Sequence, residues 1–152
     1  MEFRKALAED RGAIELVIFS VLTEFGLKPE PDGIDRDLAD IERHYFSPGG
    51  YFEVCEIGGR IVGTWGLRPE TETRCELKKM YLLPEFRGQG IGRAMLERAI
   101  KKAKNLGFNR VELDTASVLK DAIALYLQYG FVQIWTKALA TRCDQAYGLD
   151  LR

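Results

Sequence analysis

One histidine, His44, is present in 152 residues, so any mechanism or metal site needing two imidazoles is disfavoured. The three cysteines, Cys55, Cys75 and Cys143, are odd in number and far apart. Such spacing fits neither a disulfide framework nor the close pairs of a zinc site, and reduced thiols in a cytoplasmic protein are expected. No apolar run approaches the ~20 residues that cross a bilayer. The opening Met1-Glu2-Phe3-Arg4-Lys5 leads into no uninterrupted apolar stretch, so neither a membrane partner nor a secretory signal is expected. With 22 Lys and Arg against 23 Asp and Glu, the net charge is -1. Nothing in that balance draws the chain toward nucleic acid or an anionic membrane. No repeat, low-complexity tract or linker interrupts the sequence, and one domain over residues 1–152 is expected.

What is present is a regular alternation of helix and strand patterns. Phe3 to Ala8 reads as a strand. Ala13, Ile14, Val17, Ile18, Val21, Leu22 and Phe25 recur at helical spacing until Gly26, Pro29 and Pro31 stop them. Asp35 to Tyr45 predicts a second, shorter helix before the turn at Pro48-Gly49-Gly50. Tyr51 to Ile57 and Arg60 to Leu67 read as strands joined by a two-residue Gly58-Gly59 turn. Thr73 to Leu83 is a third strand, closed by Pro84. Ile91, Met95, Leu96, Ala99, Ile100, Ala103 and Leu106 then form an apolar helical stripe that ends at Gly107. Val111 to Asp114 is a short strand and Lys120 to Tyr129 a helix before Gly130. Phe131 to Trp135 and Ala146 to Leu151 read as the last strands. Hairpins followed by crossover helices imply an α/β (α+β) domain with a mixed sheet and helices packed on it.

Between the third strand and the long helix stands Arg87-Gly88-Gln89-Gly90-Ile91-Gly92. Glycines let a backbone approach a ligand closely, and the helix that follows presents about half a positive charge at its start. The turn is therefore a candidate pyrophosphate cradle, although glycines also serve simply to tighten a connection. A dinucleotide loop would need glycine three places after Gly90, where Arg93 stands. The nucleotide-triphosphatase loop ends in Gly-Lys-Ser/Thr, which is absent here.

Arg87, Gly90 and Gly92, spaced as Arg-x-x-Gly-x-Gly, resemble the coenzyme A signature of the GNAT N-acetyltransferases. The preceding Glu76-Leu-Lys-Lys-Met-Tyr-Leu-Leu-Pro-Glu-Phe is similar to that family's fourth strand. Ala122-Ile-Ala-Leu-Tyr126 with Gly130-Phe131 is similar to its second signature. The three pieces occur in order over roughly a third of the chain. The resemblance implies a mixed, mostly antiparallel sheet of about seven strands with four helices. It implies acetyl-CoA as co-substrate, no metal, and acetyl transfer to a small-molecule or peptide amine by direct attack. The family also makes a homodimer a possible assembly.

Residue by residue, the resemblance places the backbone of Met80, Tyr81 and Leu82 against the pantetheine arm. It places the amides of Gly88, Gln89, Gly90, Ile91, Gly92 and Arg93 on the pyrophosphate, with Arg87 adding charge or shaping the loop. Tyr126 matches the general acid that protonates the departing thiolate, a transfer between groups of comparable basicity. Its alternative is a packed aromatic. Glu76 and Asp114 both match positions of a carboxylate base, and either could instead hold local structure. Leu119 stands seven residues before Tyr126, where relatives carry an asparagine that bonds the pantetheine, and Ser117 is the candidate substitute. Glu24 and Asp37 read as solvated surface carboxylates. Trp65 and Trp135 read as core or pocket lining, and Cys55 and Cys75 as buried filler. Two other readings stay open: transfer of a longer acyl group, and a non-catalytic acyl-CoA sensor, against which Tyr126 argues.

Overall fold

The computed structural model describes residues 1–135, 138–139 and 141–152. Seven strands form one sheet in the order β1-β2-β3-β4-β5-β7-β6. They are β1 (Glu2–Lys5), β2 (Tyr51–Ile57), β3 (Arg60–Pro69), β4 (Arg74–Leu82), β5 (Arg110–Thr115), β6 (Val132–Ile134) and β7 (Gln145–Asp150). Only β4 and β5 run parallel; every other neighbouring pair is antiparallel. Three α-helices accompany them: α1 (Arg11–Glu24), α2 (Ile91–Asn105) and α3 (Lys120–Gln128). The mixed α/β architecture expected of the GNAT fold is present. Gly58 and Gly59, both at positive φ, make the β2–β3 hairpin turn.

Helix α1 buries the stripe Ile14, Val17, Ile18, Val21 and Leu22, and α2 buries Ile91, Met95, Leu96, Ala99 and Ala103. Both helices lie on the central strands β3 and β4. The core beneath them closes around Trp65, Phe52, Leu67 and Tyr45. No helix of the described residues is long and apolar enough to cross a membrane.

The helix expected over residues 35–45 arrives as two short pieces, a 3₁₀ turn at Arg36–Ala39 and a π-helical turn at Glu42–Phe46. The physical reason is burial of its acidic residues. Asp35 and Asp37 turn inward, Asp37 accepting the Tyr45 hydroxyl hydrogen bond at 2.5 Å. A regular amphipathic helix would leave one of them in solvent, so the reading of Asp37 as a surface carboxylate is corrected. Trp65 is core as expected, whereas Trp135 is 82% exposed just beyond the short edge strand β6.

The feature that positions the site is the course of β4. It pairs with β5 only at Arg74, Cys75 and Glu76, opposite Arg110, Val111 and Glu112. On its other edge the register with β3 shifts between Thr64 and Gly66, and Lys79 takes φ 57°, the one non-glycine left-handed residue described. This is a β-bulge, which bends the strand that carries it. The Thr64 hydroxyl donates to the Lys79 carbonyl at 2.7 Å and fixes the bulge. Beyond Glu76 the two strands diverge, leaving a V-shaped gap.

Gly66, beside the bulge, has no room for a side chain. A Cβ there would sit 2.7 Å from Phe52 Cδ2 and 2.8 Å from Tyr45 Cε1. Gly66→Ala is therefore expected to destabilise the fold by about 1–3 kcal/mol through overpacking, read as a lower urea midpoint. An unchanged midpoint would show that the two rings can give way.

Candidate active site

The gap between β4 and β5 opens into a cavity of about 710 Å³. Leu77 to Leu82 form one wall, and Leu113 to Ala116 the other. Gly88, Gly90, Gly92 and Arg93 lie at one end, and Arg142 and Cys143 also reach the lining. Of the residues singled out from sequence, Glu76, Asp114, Tyr126, Met80, Tyr81, Leu82, Arg87, Gly88, Gly90, Gly92 and Arg93 are thus brought together. Gln89 and Ile91 are outside the lining. Gln89 is exposed, and the Ile91 side chain belongs to the core.

Strand β4 presents its groups by simple alternation. The Leu83 amide donates to the Val62 carbonyl on the β3 side, so the Leu82 amide faces the gap. The Leu82 carbonyl accepts Arg87 Nε at 3.1 Å and Nη2 at 2.9 Å. Arg87 also forms a two-pronged ion pair with Glu24 of α1, at 2.7 and 2.9 Å, and lies over the Phe25 ring. Its charge is therefore neutralised within the protein, and its role is to brace the glycine turn against α1. Glu24 is the other half of that brace, which corrects its reading as a purely solvated residue.

The turn itself has Gly88 and Gly90 at φ 75° and 84°, and Gly90 caps the start of α2. A Cβ at Gly88, Gly90 or Gly92 would meet nothing within 4 Å, so the space beside this backbone is open. Left-handed glycines followed by a helix start give the clustered amide donors that suit an anion. The residues present therefore fit a pyrophosphate.

Tyr126 lies on α3 with 5% exposure and its ring 5.6 Å from that of Phe131. The Phe131 amide donates back to the Tyr126 carbonyl at 3.1 Å, beyond the left-handed Gly130 that ends the helix. Burial, reinforced by the nearby Tyr81, pushes the Tyr126 hydroxyl above its ordinary pKa. Burial likewise pushes Tyr81 up to about 12, with the Arg142 guanidinium opposing. Both phenols are therefore protonated at neutral pH.

Glu76 occupies the crotch of the V, at the last paired register of β4 and β5, with Lys78 Nζ 3.8 Å from its carboxylate. Asp114 lies two residues further along β5, opposite Ala146 of β7. Ser117 does not replace the missing asparagine. Its amide and hydroxyl both bond the Asp144 carboxylate at 2.7 Å, outside the cavity. Leu119 does line the cavity, together with Asp121.

A buried ion cluster went unrecognised in the sequence. Asp35, with no side-chain exposure, accepts from Lys79 Nζ at 2.5 Å, from Arg142 Nη1 and Nη2 at 2.7 Å each, and from the Glu30 amide at 2.8 Å. It ties the β4 bulge to the segment after α1 and to the segment before β7. Burial alone would raise the Asp35 pKa, but the hydrogen bonds from Arg142 and Lys79 hold it well below the usual carboxylate range.

The sequence profile of the acetyltransferase (GNAT) family matches residues 16–131. Fold, cavity and motifs thus meet in one assignment: the chain belongs to the GNAT acetyltransferase family. It is 38% identical over 136 residues to the N-acetyltransferase YjgM of Escherichia coli K12, covering 86% of this chain and 81% of that one. Rat N-acetyltransferase 8 is 36% identical over 104 residues, covering 64% of this chain. The chain spans about half of that relative, 47% of its length. Among solved structures, a GNAT-family acetyltransferase from Staphylococcus aureus Mu50 superposes with TM-score 0.93 at 24% identity, covering 99% of both chains. The yncA protein of Salmonella typhimurium, solved with acetyl-CoA, superposes with TM-score 0.74 at 22% identity, covering 100% and 94%.

Because the folded pKa of Asp35 lies below its unfolded value, its pairing stabilises the fold above about pH 4. That contribution is lost as pH falls below this range toward the lowered folded value. Asp35→Asn leaves Arg142 without its counter-charge and Lys79 with only the longer pair to Asp37 at 3.6 Å, and is expected to cost about 3–5 kcal/mol at pH 7 in urea unfolding. The gap to the wild type should narrow near pH 3. A gap independent of pH would contradict the pairing.

Proposed function

We propose that this chain transfers an acetyl group from acetyl-CoA to a primary amine by direct attack in a ternary complex. The observation that carries the reading is the divergence of β4 and β5 beyond Glu76, with the glycine turn at one end and Tyr126 on the wall. A thioester co-substrate supplies an activated acetyl group and a thiolate leaving group. The free edge of β4 at Met80 and Leu82 offers backbone groups to the pantetheine, as an added strand would. An amide from this stretch polarises the thioester carbonyl as charge develops on its oxygen. The amides of residues 88–93 hold the pyrophosphate, and Arg87 keeps that turn braced.

The acceptor amine arrives protonated and must lose a proton before it attacks. Glu76 and Asp114 both line the cavity, and either carboxylate, directly or through water, serves as the base. Tyr126 donates its hydroxyl proton to the departing thiolate. Burial keeps that proton in place at neutral pH, and the same desolvation raises the basicity of a thiolate formed beside it. Direct attack is favoured over transfer through a cysteine, because burial holds the Cys143 thiol above its ordinary pKa and so protonated at neutral pH.

Tyr126→Phe should lower kcat by about 10²-fold or more while leaving acetyl-CoA affinity within twofold, as read by thiol release and calorimetry. Retention of full kcat across the pH range would remove the acid assignment. Gly90→Val forces a β-branched residue to φ 84° and projects methyls into the open space of the turn. It should weaken acetyl-CoA binding by about tenfold or more with little change in circular dichroism.

A further inference from the structure

Acetyl transfer needs an amine held near both a base and the thioester carbon, and the chain carries an amine of its own beside one candidate base. Lys78 lies on β4 two residues beyond Glu76, so the two side chains leave the same face of the strand. Both line the cavity, and Lys78 Nζ stands 3.8 Å from the Glu76 carboxylate. Only 26% of the Lys78 side chain is exposed, so most of it lies against the protein. Among the described residues its ammonium group makes no hydrogen bond, and Glu76 is its ion-pair partner.

The segment before β7 meets the same groups. Burial and then Asp114 push the Cys143 thiol up, and that thiol also lies within the fields of Arg142, Lys78 and Glu76. Glu76, Lys78, Asp114 and Cys143 therefore share one stretch of the cavity. The other lysines of the lining differ. Lys79 is 5% exposed and spends its ammonium group on Asp35 and the Ile34 carbonyl. Lys120, at the start of α3, is exposed and pairs with no carboxylate among the described residues. Of the three, Lys78 joins an unlocked amine to a carboxylate that can take its proton. A stem of four methylenes lets that amine swing from the carboxylate toward a thioester without movement of β4.

Resting on the acetyl-transfer reading above, we propose that Lys78 is a self-acetylation site: without an external amine, the chain moves acetyl from acetyl-CoA onto its own Lys78 Nζ. Glu76 takes one ammonium proton and passes it to solvent. The freed nitrogen bonds the acetyl carbon, and the carbon–sulfur bond breaks as the tetrahedral intermediate collapses. The thiolate takes the Tyr126 proton, and the second nitrogen proton restores it through solvent. The products are acetyl-lysine, the CoA thiol and one released proton. A cation beside Glu76 becomes a neutral amide, and the added acetyl group fills space that an acceptor needs. The modification thus limits the enzyme's own turnover when acceptor is scarce.

The test incubates the full chain with acetyl-CoA and no added amine, and follows each lysine by peptide mass spectrometry. Lys78 should gain acetyl about tenfold or more faster than Lys101 and Lys104, exposed on α2. That excess should vanish in urea and under excess desulfo-CoA, which fills the cofactor site without an acetyl group. The rate per molecule should not change on dilution of the protein. Preincubated protein should lose initial rate on an external amine in step with Lys78 occupancy, whereas Lys78→Arg should show no time-dependent loss. A Lys78 rate equal to that of the exposed lysines would overturn the proposal. So would an excess that persists in urea or desulfo-CoA or falls on dilution, or a rate loss that persists in Lys78→Arg. Thiol release with a panel of external amines separates the two readings. Release with Lys78 unmodified overturns self-acetylation alone; neither release nor modification at saturating acetyl-CoA overturns the transfer reading with it.

Discussion

Everything at this site depends on β4 being unable to stay paired with β5. Parallel strands ordinarily pair along their length, and an unpaired backbone edge inside a protein is costly unless something else satisfies it. Here pairing stops at Glu76, and the bulge at Lys79 takes the rest of the strand away from its neighbour. The result is a strip of backbone facing a cavity, with its Leu82 carbonyl held by Arg87, where an extended ligand can complete the sheet. The strained residue is held from three directions: by Thr64 on its carbonyl, by Asp35 on its ammonium group and by the Ile34 carbonyl. Left-handed backbone at a lysine costs free energy, and such strain persists only where the surroundings over-determine it.

The cluster that fixes the bulge also builds the far wall. Asp35 binds Lys79 on the central sheet and Arg142 ahead of β7, so one carboxylate sets the geometry of both. Arg87 does the corresponding work at the opposite end, joining α1 to the glycine turn through Glu24 and to β4 through the Leu82 carbonyl. At Arg87 a charge that the sequence offers to a ligand is first committed to the protein's own frame. What remains for ligands is backbone amides at the turn.

How much of this was legible follows from range. The glycine turn, the strand before it and the Tyr126 helix are local patterns, each carried by residues a few positions apart, and they could be read directly. Strand and helix positions likewise followed from apolar periodicity and from glycine punctuation. The ion cluster could not be read. Asp35 lies 44 residues from Lys79 and 107 from Arg142, and no spacing rule joins them. Its inward acidic residues also explain why a regular helix did not form where one was expected over residues 35–45. Ser117 was misassigned for a related reason, since Asp144, the partner that takes its hydroxyl, is 27 residues away. A tryptophan at a strand end, such as Trp135, carries no sequence signal that separates core from edge.

The central claim is that the free edge of β4 and the glycine turn together receive acetyl-CoA. Amide hydrogen exchange with and without acetyl-CoA tests it most directly, because it reads the backbone groups themselves. The account predicts added protection at Met80 and Leu82 and across residues 88–93, with little change in β1 and β2. Unchanged exchange in those two segments at saturating acetyl-CoA, or protection confined to another part of the sheet, would contradict it.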